Sequence, residues 1–433
     1  MKKLVVPLLL VLLALSLSAV QAQDTVTLHM AWYNDGNEGD VMQALLDDFH
    51  SKNPNITVQL DTVDYATGIL KTLPVQIQAG QGPDIARTTT YANSTMTPYY
   101  LDLSTLVPDA DYWTKTFPAV VMQSMRPSGD TTGIYGFPDS FTITGPFINK
   151  TLFEQANIPV PSDTDKAVTW QEWTDTAKKV ATATGTQYAI AIDRSGHRIA
   201  GPALSDGATF FDKDGNLTID TPGFRDFANL FLSWNSDGIT PSDVWVSNSN
   251  SYAAAADYFI NSQLVFYMAG SWQVSNFAKN IGDKFDWEAV PNPTGPGGST
   301  GMPGGTGIVA LKETQHPKEV ALLMDYLVQH DQQVQYAAKT LFIPGDLDLA
   351  KEGVAYDTDN ASAKASLNTF LAQLPNISDQ AYEMNFNPQN TAIFNAIRDR
   401  LAQVITGELS LDDAIVKMQS DSDAALAAAK AGS

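Results

Sequence analysis

The segment over residues 133–150 restricts the fold of this chain more than any other. It reads Gly-Ile-Tyr-Gly-Phe-Pro-Asp-Ser-Phe-Thr-Ile-Thr-Gly-Pro-Phe-Ile-Asn-Lys, and its only charged residues are Asp139 and Lys150. Pro138 and Pro146 exclude a continuous helix, and the β-branched residues between them favour an extended backbone. Such a segment is either a strand buried in one large domain or a strand that crosses between two lobes with its polar groups facing a cleft.

The chain begins with a pattern that is typical of a secretory signal peptide. Two lysines precede an apolar run over residues 4–17, and small residues lie just before a predicted cleavage site after Ala22. The run is shorter than the ~20 residues that a membrane-spanning helix needs. We therefore expect residues 1–22 to be removed and the protein to reach the periplasm or the extracellular space without membrane insertion.

Cysteine is absent from the sequence. This excludes disulfides, a thiolate metal site, a thiol nucleophile and a lipid anchor on an N-terminal cysteine. The five histidines are scattered, and no nucleophile elbow, paired-histidine motif or phosphate-binding loop is present. We expect neither a metal nor a cofactor.

The formal net charge of −22 limits the partners of this chain. A negative field repels nucleic acid and anionic membranes, so neither is expected as a partner. The field also disfavours an anionic ligand, unless arginines near the binding site oppose it. The acidic residues are spread along the chain, which is typical of a soluble surface.

Alternating strand and helix patterns predict an α/β fold. A predicted strand at 26–31 is followed by a helix over 40–52, with apolar residues on one face, and by a strand at 56–60. A second unit combines a helix over 69–79 with a strand at 85–88. Strand, helix and strand of these lengths indicate a parallel sheet.

Four further patterns predict local structure. Pro74 should kink the second predicted helix or mark its first turn. Thr169-Trp170-Gln171-Glu172 fits a capping box and predicts a helix from that point. Asp214-Gly215 predicts a hairpin turn rather than a calcium loop, because the glycine of this acidic stretch stands at its fourth position instead of its sixth. Residues 252–261 are predicted to be helical.

Six short motifs occur in order along the chain. They are Gly80-Gln81-Gly82-Pro83-Asp84-Ile85, Tyr135-Gly136-Phe137-Pro138 with Asn149-Lys150-x-x-Phe153, Thr169-Trp170-Gln171-Glu172, Met268-Ala269-Gly270-Ser271-Trp272, Gly304-Gly305-Thr306-Gly307 and Gly407-Glu408-Leu409-Ser410-Leu411-Asp412-Asp413-Ala414. Together they resemble the extracellular solute-binding proteins of ABC sugar importers (family 1), the group that includes maltose-binding protein. Two positions depart from that pattern, Pro74 in a helix that is usually uninterrupted and Ile148 where relatives often carry Tyr.

The resemblance implies a type II periplasmic-binding-protein-like fold, with two α/β lobes, a hinge and a ligand cleft between the lobes. The N-terminal lobe would comprise residues 23–133 plus 304–343, and the C-terminal lobe residues 134–303 plus 344–433. The protein would be a monomer and not an enzyme. It would capture a carbohydrate, most simply a neutral oligosaccharide, by lobe closure and deliver it to the membrane permease of an ABC transporter.

Sugars are bound by aromatic rings that cover their C–H faces and by polar groups that satisfy their hydroxyls. Both kinds of residue occur at positions expected to face the cleft. Trp272 matches a sugar-stacking position of the family, although any of the aromatic residues could belong to the core and Asp139 could cap a turn. The candidate ligand-binding residues are Trp32, Tyr33, Asn34, Tyr91, Asp139, Ser140, Trp245, Trp272, Gly305 and Thr306.

Two alternatives to sugar binding remain open from the sequence. The same fold could bind a peptide, or a polyamine or other cation, since an aromatic box with acidic corners suits a cation. A secreted glycoside hydrolase would need two carboxylates across a cleft. With 48 acidic residues in the chain, a suitable pair can always be found, so the carboxylate count does not discriminate.

Overall fold

The computed structural model describes residues 25–163, 167–246 and 252–432. The predicted signal peptide lies outside these residues. The strands are β1 (Val26–Trp32), β2 (Ile56–Thr62), β3 (Ile85–Thr89), β4 (Gly136–Asn149), β5 (Tyr188–Ile192), β6 (Leu264–Gly270), β7 (Trp287–Ala289) and β8 (Pro303–Ala310). The α-helices of the first half are α1 (Glu38–Lys52), α2 (Leu73–Gln78), α3 (Thr90–Met96), α4 (Ala110–Thr116), α5 (Ala119–Gln123), α6 (Lys150–Ala156), α7 (Trp170–Thr184) and α8 (Gly196–Ser205).

The later part of the chain is mainly helical. Its helices are α9 (Pro222–Ser236), α10 (Asp243–Val246), α11 (Ala256–Ile260), α12 (Gln273–Asn280), α13 (Pro317–Val328), α14 (His330–Thr340), α15 (Leu347–Glu352), α16 (Ala361–Gln373), α17 (Asp379–Phe386), α18 (Asn390–Ile405) and α19 (Leu411–Gly432). Among the described residues, no helix is both long and apolar enough to cross a membrane.

The strands form one mixed sheet path in the order β2-β1-β3-β8-β4-β6-β5, with β7 added beside β4. β1 pairs in parallel with β2 and β3, and β5 pairs in parallel with β6. β8 runs antiparallel to β3 and β4, and β6 runs antiparallel to β4. Each end of the path is therefore a parallel unit, and antiparallel strands join the two.

β4 is the strand that belongs to both parts of the sheet. Its first half, Gly136 to Ile143, pairs with β8, and its second half, Thr144 to Ile148, pairs with β6. The segment that was predicted to be extended is thus one nearly continuous strand. Its burial on both faces explains why Asp139, which is ion-paired, is its one charged residue, since an unpaired charge there would lose its hydration.

The first α/β unit folds as its apolar pattern predicts. α1 buries Val41, Leu45 and Phe49 against the sheet. Pro74 lies at the second residue of α2, where its missing N–H has no helical partner to lose. The residues before it form a π-helix, Tyr65–Thr72, instead of the first turn of an α-helix. Pro74 therefore marks a new helix start, one of the two outcomes predicted for it.

The second half of the chain confirms two local predictions and corrects a third. Thr169 and Glu172 form the capping box at the start of α7. Gly215 adopts φ +77° in the predicted hairpin turn. The helix predicted over residues 252–261 is wrong at its start, because α11 begins only at Ala256. The carbonyl of Ala253 accepts a hydrogen bond from the N–H of Arg194, which holds this segment against the end of β5 instead.

Candidate functional site

A cavity lies between the two parts of the sheet, at the carboxyl ends of the parallel strands. One wall comes from the segments after β1, β2 and β3, and the other from the segments after β5 and β6 together with α17 and α18. Open α/β sheets bind ligands at this edge, where loops from several strands converge. Residues that line the cavity include Tyr33, Asp35, Tyr65, Thr90, Arg194, His197, Arg198, Tyr252, Trp272, Gly305, Thr306, Asn385 and Arg398.

Three tyrosines connect one wall of the cavity to the other. The ring centroids of Tyr33 and Tyr65 are 4.8 Å apart, and those of Tyr65 and Tyr252 are 5.9 Å apart in an edge-to-face contact. The first two rings follow β1 and β2, whereas Tyr252 precedes α11 on the opposite side. This aromatic contact therefore forms only when the two walls are close together.

The wall of Tyr252 is organised by Asp193, which follows β5. Its carboxylate accepts hydrogen bonds from the hydroxyls of Tyr252 (2.8 Å) and Tyr267 (2.7 Å) and from the N–H of Ala255 (2.9 Å). Burial raises the pKa of Asp193, while the charge of Arg198 and these hydrogen bonds act in the opposite direction. With its oxygens so occupied, Asp193 positions the wall.

Arg198 lies over the indole of Trp272, with its guanidinium carbon 4.1 Å from the ring centroid. This cation–π contact covers one face of the indole. Nη1 of Arg198 donates to Nδ1 of His197 (2.6 Å), and Nε2 of His197 donates to the carbonyl of Pro303 (3.0 Å). This tautomer requires a neutral ring, and burial and the charge of Arg198 lower the pKa of His197 to about 3.

Asp35 is the acidic residue of the opposite wall. Burial and the nearby carboxylate of Glu38 raise its pKa to about 7. Glu38 itself accepts hydrogen bonds from the N–H groups of Asp35 (3.1 Å) and Gly36 (2.8 Å), which fixes the turn after β1. Near neutral pH, Asp35 exists in both protonation states, so it can accept a hydrogen bond from a ligand hydroxyl or donate one to it.

Direct hydrogen bonds join the walls on both sides of the cavity. The hydroxyl of Ser275 on α12 donates to the side-chain oxygen of Asn37, at 2.8 Å. The amide of Asn385 on α17 donates to the hydroxyl of Thr90 on α3, at 3.3 Å. Because each bond connects segments from different parts of the sheet, this structure represents a closed cleft.

Four of the sequence-predicted ligand residues line the cavity: Tyr33, Trp272, Gly305 and Thr306. Tyr33 belongs to the contact of three tyrosines, and Arg198 lies over the ring of Trp272. A fifth candidate, Tyr91, lies on α3, and its side chain is outside the part of the chain that the structure describes.

The structure does not bring Trp32 and Asn34 to the cavity. Trp32 is fully buried, with Arg87 above its ring and its indole N–H donating to Asn34 (3.0 Å). The same side-chain oxygen of Asn34 accepts the N–H of Gly39 at the start of α1 (2.7 Å). These two residues anchor the end of β1 and the beginning of α1.

Asp139 and Ser140 also lie beneath the cavity rather than in its lining. Asp139 forms a buried ion pair with Arg87 (3.1 Å) and accepts the hydroxyl of Tyr336 (3.0 Å). Ser140 hydrogen-bonds to the hydroxyl of Thr306 (2.7 Å). The sequence did not indicate that Arg87 is the ion-pair partner of Asp139.

Trp245 is a core residue in this structure. Its ring centroid is 4.7 Å from that of Phe231 on α9, and its indole N–H donates to the carbonyl of Ile192 (2.8 Å). The ring contact holds α10 against α9, and the hydrogen bond holds it against the end of β5. Trp245 therefore supports the second wall from behind.

The sequence reasoning missed most of the charged lining. Arg194, His197 and Arg198 follow directly on β5, in the stretch Asp-Arg-Ser-Gly-His-Arg, and Arg398 comes from the distant helix α18. A predicted strand that ends in a short polar, glycine-containing stretch is the signal that could have found the first three. Nothing local indicated Arg398. Within the described residues, no group of three or more potential metal-ligating side chains is found.

The two parts of the sheet, with the closed cleft between them, form the architecture of a periplasmic-binding-protein-like fold. The family model of bacterial extracellular solute-binding proteins matches residues 34–334, and the chain belongs to this family. A Brucella abortus protein named as a binding protein is 25% identical over 76% of both chains. The GacH receptor of Streptomyces glaucescens has a similar fold (TM-score 0.76, 18% identity, 93% of this chain and 99% of that one). Maltose-bound MalE3 of T. maritima also has a similar fold, with a TM-score of 0.73 and 20% identity over 92% of this chain and 99% of that one.

Proposed function

We propose that this protein is the solute-capturing component of an ABC importer and that its ligand is a carbohydrate. The observation that carries the proposal is the closed cavity, in which Tyr33, Tyr65 and Tyr252 stand beside hydroxyl, amide and charged side chains. Aromatic faces with convergent polar groups are the usual means of binding sugars. The similar folds of a maltose-bound protein and of a receptor studied with acarbose support the same ligand class.

Lobe closure is the proposed working motion. In this proposal, capture brings Ser275 to Asn37 and Asn385 to Thr90, and a membrane permease recognises the closed form. We place the first crossing near residues 143–144, where β4 changes its partner from β8 to β6, rather than at the boundary of 133 and 134 expected from the sequence. The protein would act as a secreted monomer, without a lipid anchor and without catalysis.

Cation binding is less compatible with this cleft than with the sequence alone. The aromatic box is present, but the corner expected to be acidic carries Arg194, Arg198 and Arg398. A polyamine would meet three guanidinium groups in a partly desolvated space, where like charges repel strongly. The geometry therefore favours a carbohydrate over a polyamine.

A thermal-shift panel tests the proposed function. The protein without residues 1–22 is mixed with neutral sugars, acidic sugars, polyamines and short peptides, and a ligand that binds only the folded state raises Tm. We expect at least one saccharide class to raise Tm and to be recovered chemically unchanged. Stabilisation by polyamines or peptides alone would refute the proposal, and hydrolysis of a bound saccharide would indicate an enzyme.

A further inference from the structure

Arginine is enriched in the lining of the cavity although the chain is acidic overall. The formal net charge is −22, and arginine occurs only at positions 87, 126, 194, 198, 225, 398 and 400. Three of these, Arg194, Arg198 and Arg398, line this one cavity, whereas Asp35 is the one carboxylic acid among its described lining residues. The planar guanidinium fork matches a carboxylate in shape and charge, which is why arginine is the usual partner of that group.

Arg198 is held in place but retains unused hydrogen-bonding capacity. His197 and Trp272 fix its position through the hydrogen bond and the ring contact described above. Its Nε is buried and has no hydrogen-bond partner, and the nearby carboxylate of Asp193 approaches only to 3.9 Å. A buried donor without a partner is costly, so an acceptor at this position would be stabilised.

Arg194 and Arg398 place two further positive charges in the same wall. Asp399 holds Arg398 through two hydrogen bonds, at 2.8 and 3.0 Å. Burial, followed by the charge of Arg398, lowers the pKa of Arg194, while Asp399 acts in the opposite direction. An anion bound near these groups would reduce their mutual repulsion.

Asp35 neutralises this charge only in part. Its pKa of about 7 means that a substantial fraction of Asp35 is uncharged near neutral pH. The neutral acid can donate a hydrogen bond to a ligand hydroxyl. The two walls therefore offer different chemistry, with hydroxyl-binding groups on one side and guanidinium groups on the other.

The size of the closed cavity restricts the ligand. Its volume is about 120 Å³. Each water-sized group needs on the order of 10–15 Å³ of such volume, so the cavity holds about ten groups of that size. That is the scale of a single monosaccharide unit.

We propose that the ligand is an acidic sugar of about monosaccharide size, whose carboxylate binds to Arg198 and the neighbouring Arg194 and Arg398 and whose hydroxyls face the opposite wall with Asp35. This inference rests on the proposed carbohydrate-binding function and specifies its substrate class. It replaces stacking of a neutral sugar on Trp272 with recognition by the arginine that covers that ring.

Matched sugar pairs test this inference in the wild-type protein. Calorimetric titration compares galacturonate with galactose and glucuronate with glucose, and adds a hexose phosphate and the simple carboxylate lactate. We expect a uronate to bind at least tenfold more tightly than its neutral partner, more tightly than the sugar phosphate, and to weaken as salt is added. Lactate should bind far more weakly because it lacks the sugar hydroxyls.

Substitutions then test whether an arginine in the cleft causes the preference for a uronate. Arg198→Gln should weaken uronate binding by roughly ten- to a hundredfold, since it removes a charge-assisted hydrogen bond. Arg198→Lys, which keeps the charge but loses the planar fork, should have an intermediate effect. The matched control is Arg225→Gln, because Arg225 pairs with Asp220 and Asp412 outside the cavity and should not alter binding.

The outcomes separate this inference from the proposed function. If neutral sugars bind as tightly as uronates or more tightly, the acidic-sugar inference is wrong while carbohydrate binding stands. Tightest binding of the sugar phosphate would refute the carboxylate assignment. If lactate binds and no saccharide does, both the inference and the proposed function fail. Equal losses in Arg198→Gln and Arg225→Gln would show that the effect is not local to the cleft.

Discussion

Removal of one hydroxyl should loosen the closed cleft without altering the ligand contacts. Ser275 donates to Asn37 across the cleft at 2.8 Å, and the amide of Asn37 is itself fixed by donation to the carbonyl of Lys339 at 2.9 Å. A typical intramolecular hydrogen bond contributes about 0.5–1.5 kcal/mol. Because this bond exists only in the closed form, Ser275→Ala should destabilise closure by about that amount and increase the ligand dissociation rate about two- to tenfold.

Stopped-flow fluorescence measures this effect directly. Ligand dissociation is followed for the wild type, for Ser275→Ala and for Ser233→Ala, whose hydroxyl donates to the carbonyl of Leu230 within α9. We expect faster dissociation in Ser275→Ala with a nearly unchanged association rate, and wild-type behaviour in the control. Identical dissociation rates in the two variants would refute the assignment of this hydrogen bond to closure.

Three further substitutions have defined consequences. Gly136→Val should lower Tm strongly in thermal melts, because a Cβ there would collide with a backbone carbonyl of β8; an unchanged Tm would contradict this packing. Asp139→Asn leaves Arg87 buried without its counter-charge and should cost about 3–5 kcal/mol in chemical denaturation; a loss below ~1 kcal/mol would argue against the ion pair. Asp35 has a pKa raised by burial and Glu38, so wild-type stability should fall, relative to Asp35→Asn, as pH rises from about 4 to about 7. A constant difference in Tm between these two proteins across that range would refute the raised pKa.

Local sequence patterns were sufficient for most elements of the fold. The proline pair and β-branched residues of β4, and the capping box at Thr169, act over a few residues and can be seen in the sequence. The start of α11 could not be predicted, because it depends on a hydrogen bond between Arg194 and Ala253, which are far apart in the sequence. The short strand β7 has only three residues and exists through its pairing with β4.

The site was less predictable because it depends on which side chains face one another. Trp32 and Trp245 have the composition of ligand-stacking residues, but both are directed into the core by packing contacts that the sequence does not reveal. Trp272 does line the cavity, yet no local pattern indicated that Arg198 covers its ring. Arg398 lies about 200 positions after Arg198 in the chain, and only the folded topology brings it to the same wall.

Native mass spectrometry of the secreted protein would test the central claim most directly. Gentle ionisation retains a bound small molecule, and fragmentation of the complex releases it for identification. We predict one bound ligand per protein chain with the mass of an intact saccharide, carrying a carboxylate if Arg194, Arg198 and Arg398 bind it as proposed. A released peptide or polyamine would contradict the account. So would a protein that retains no saccharide after it is mixed with each of the sugars of the thermal-shift panel.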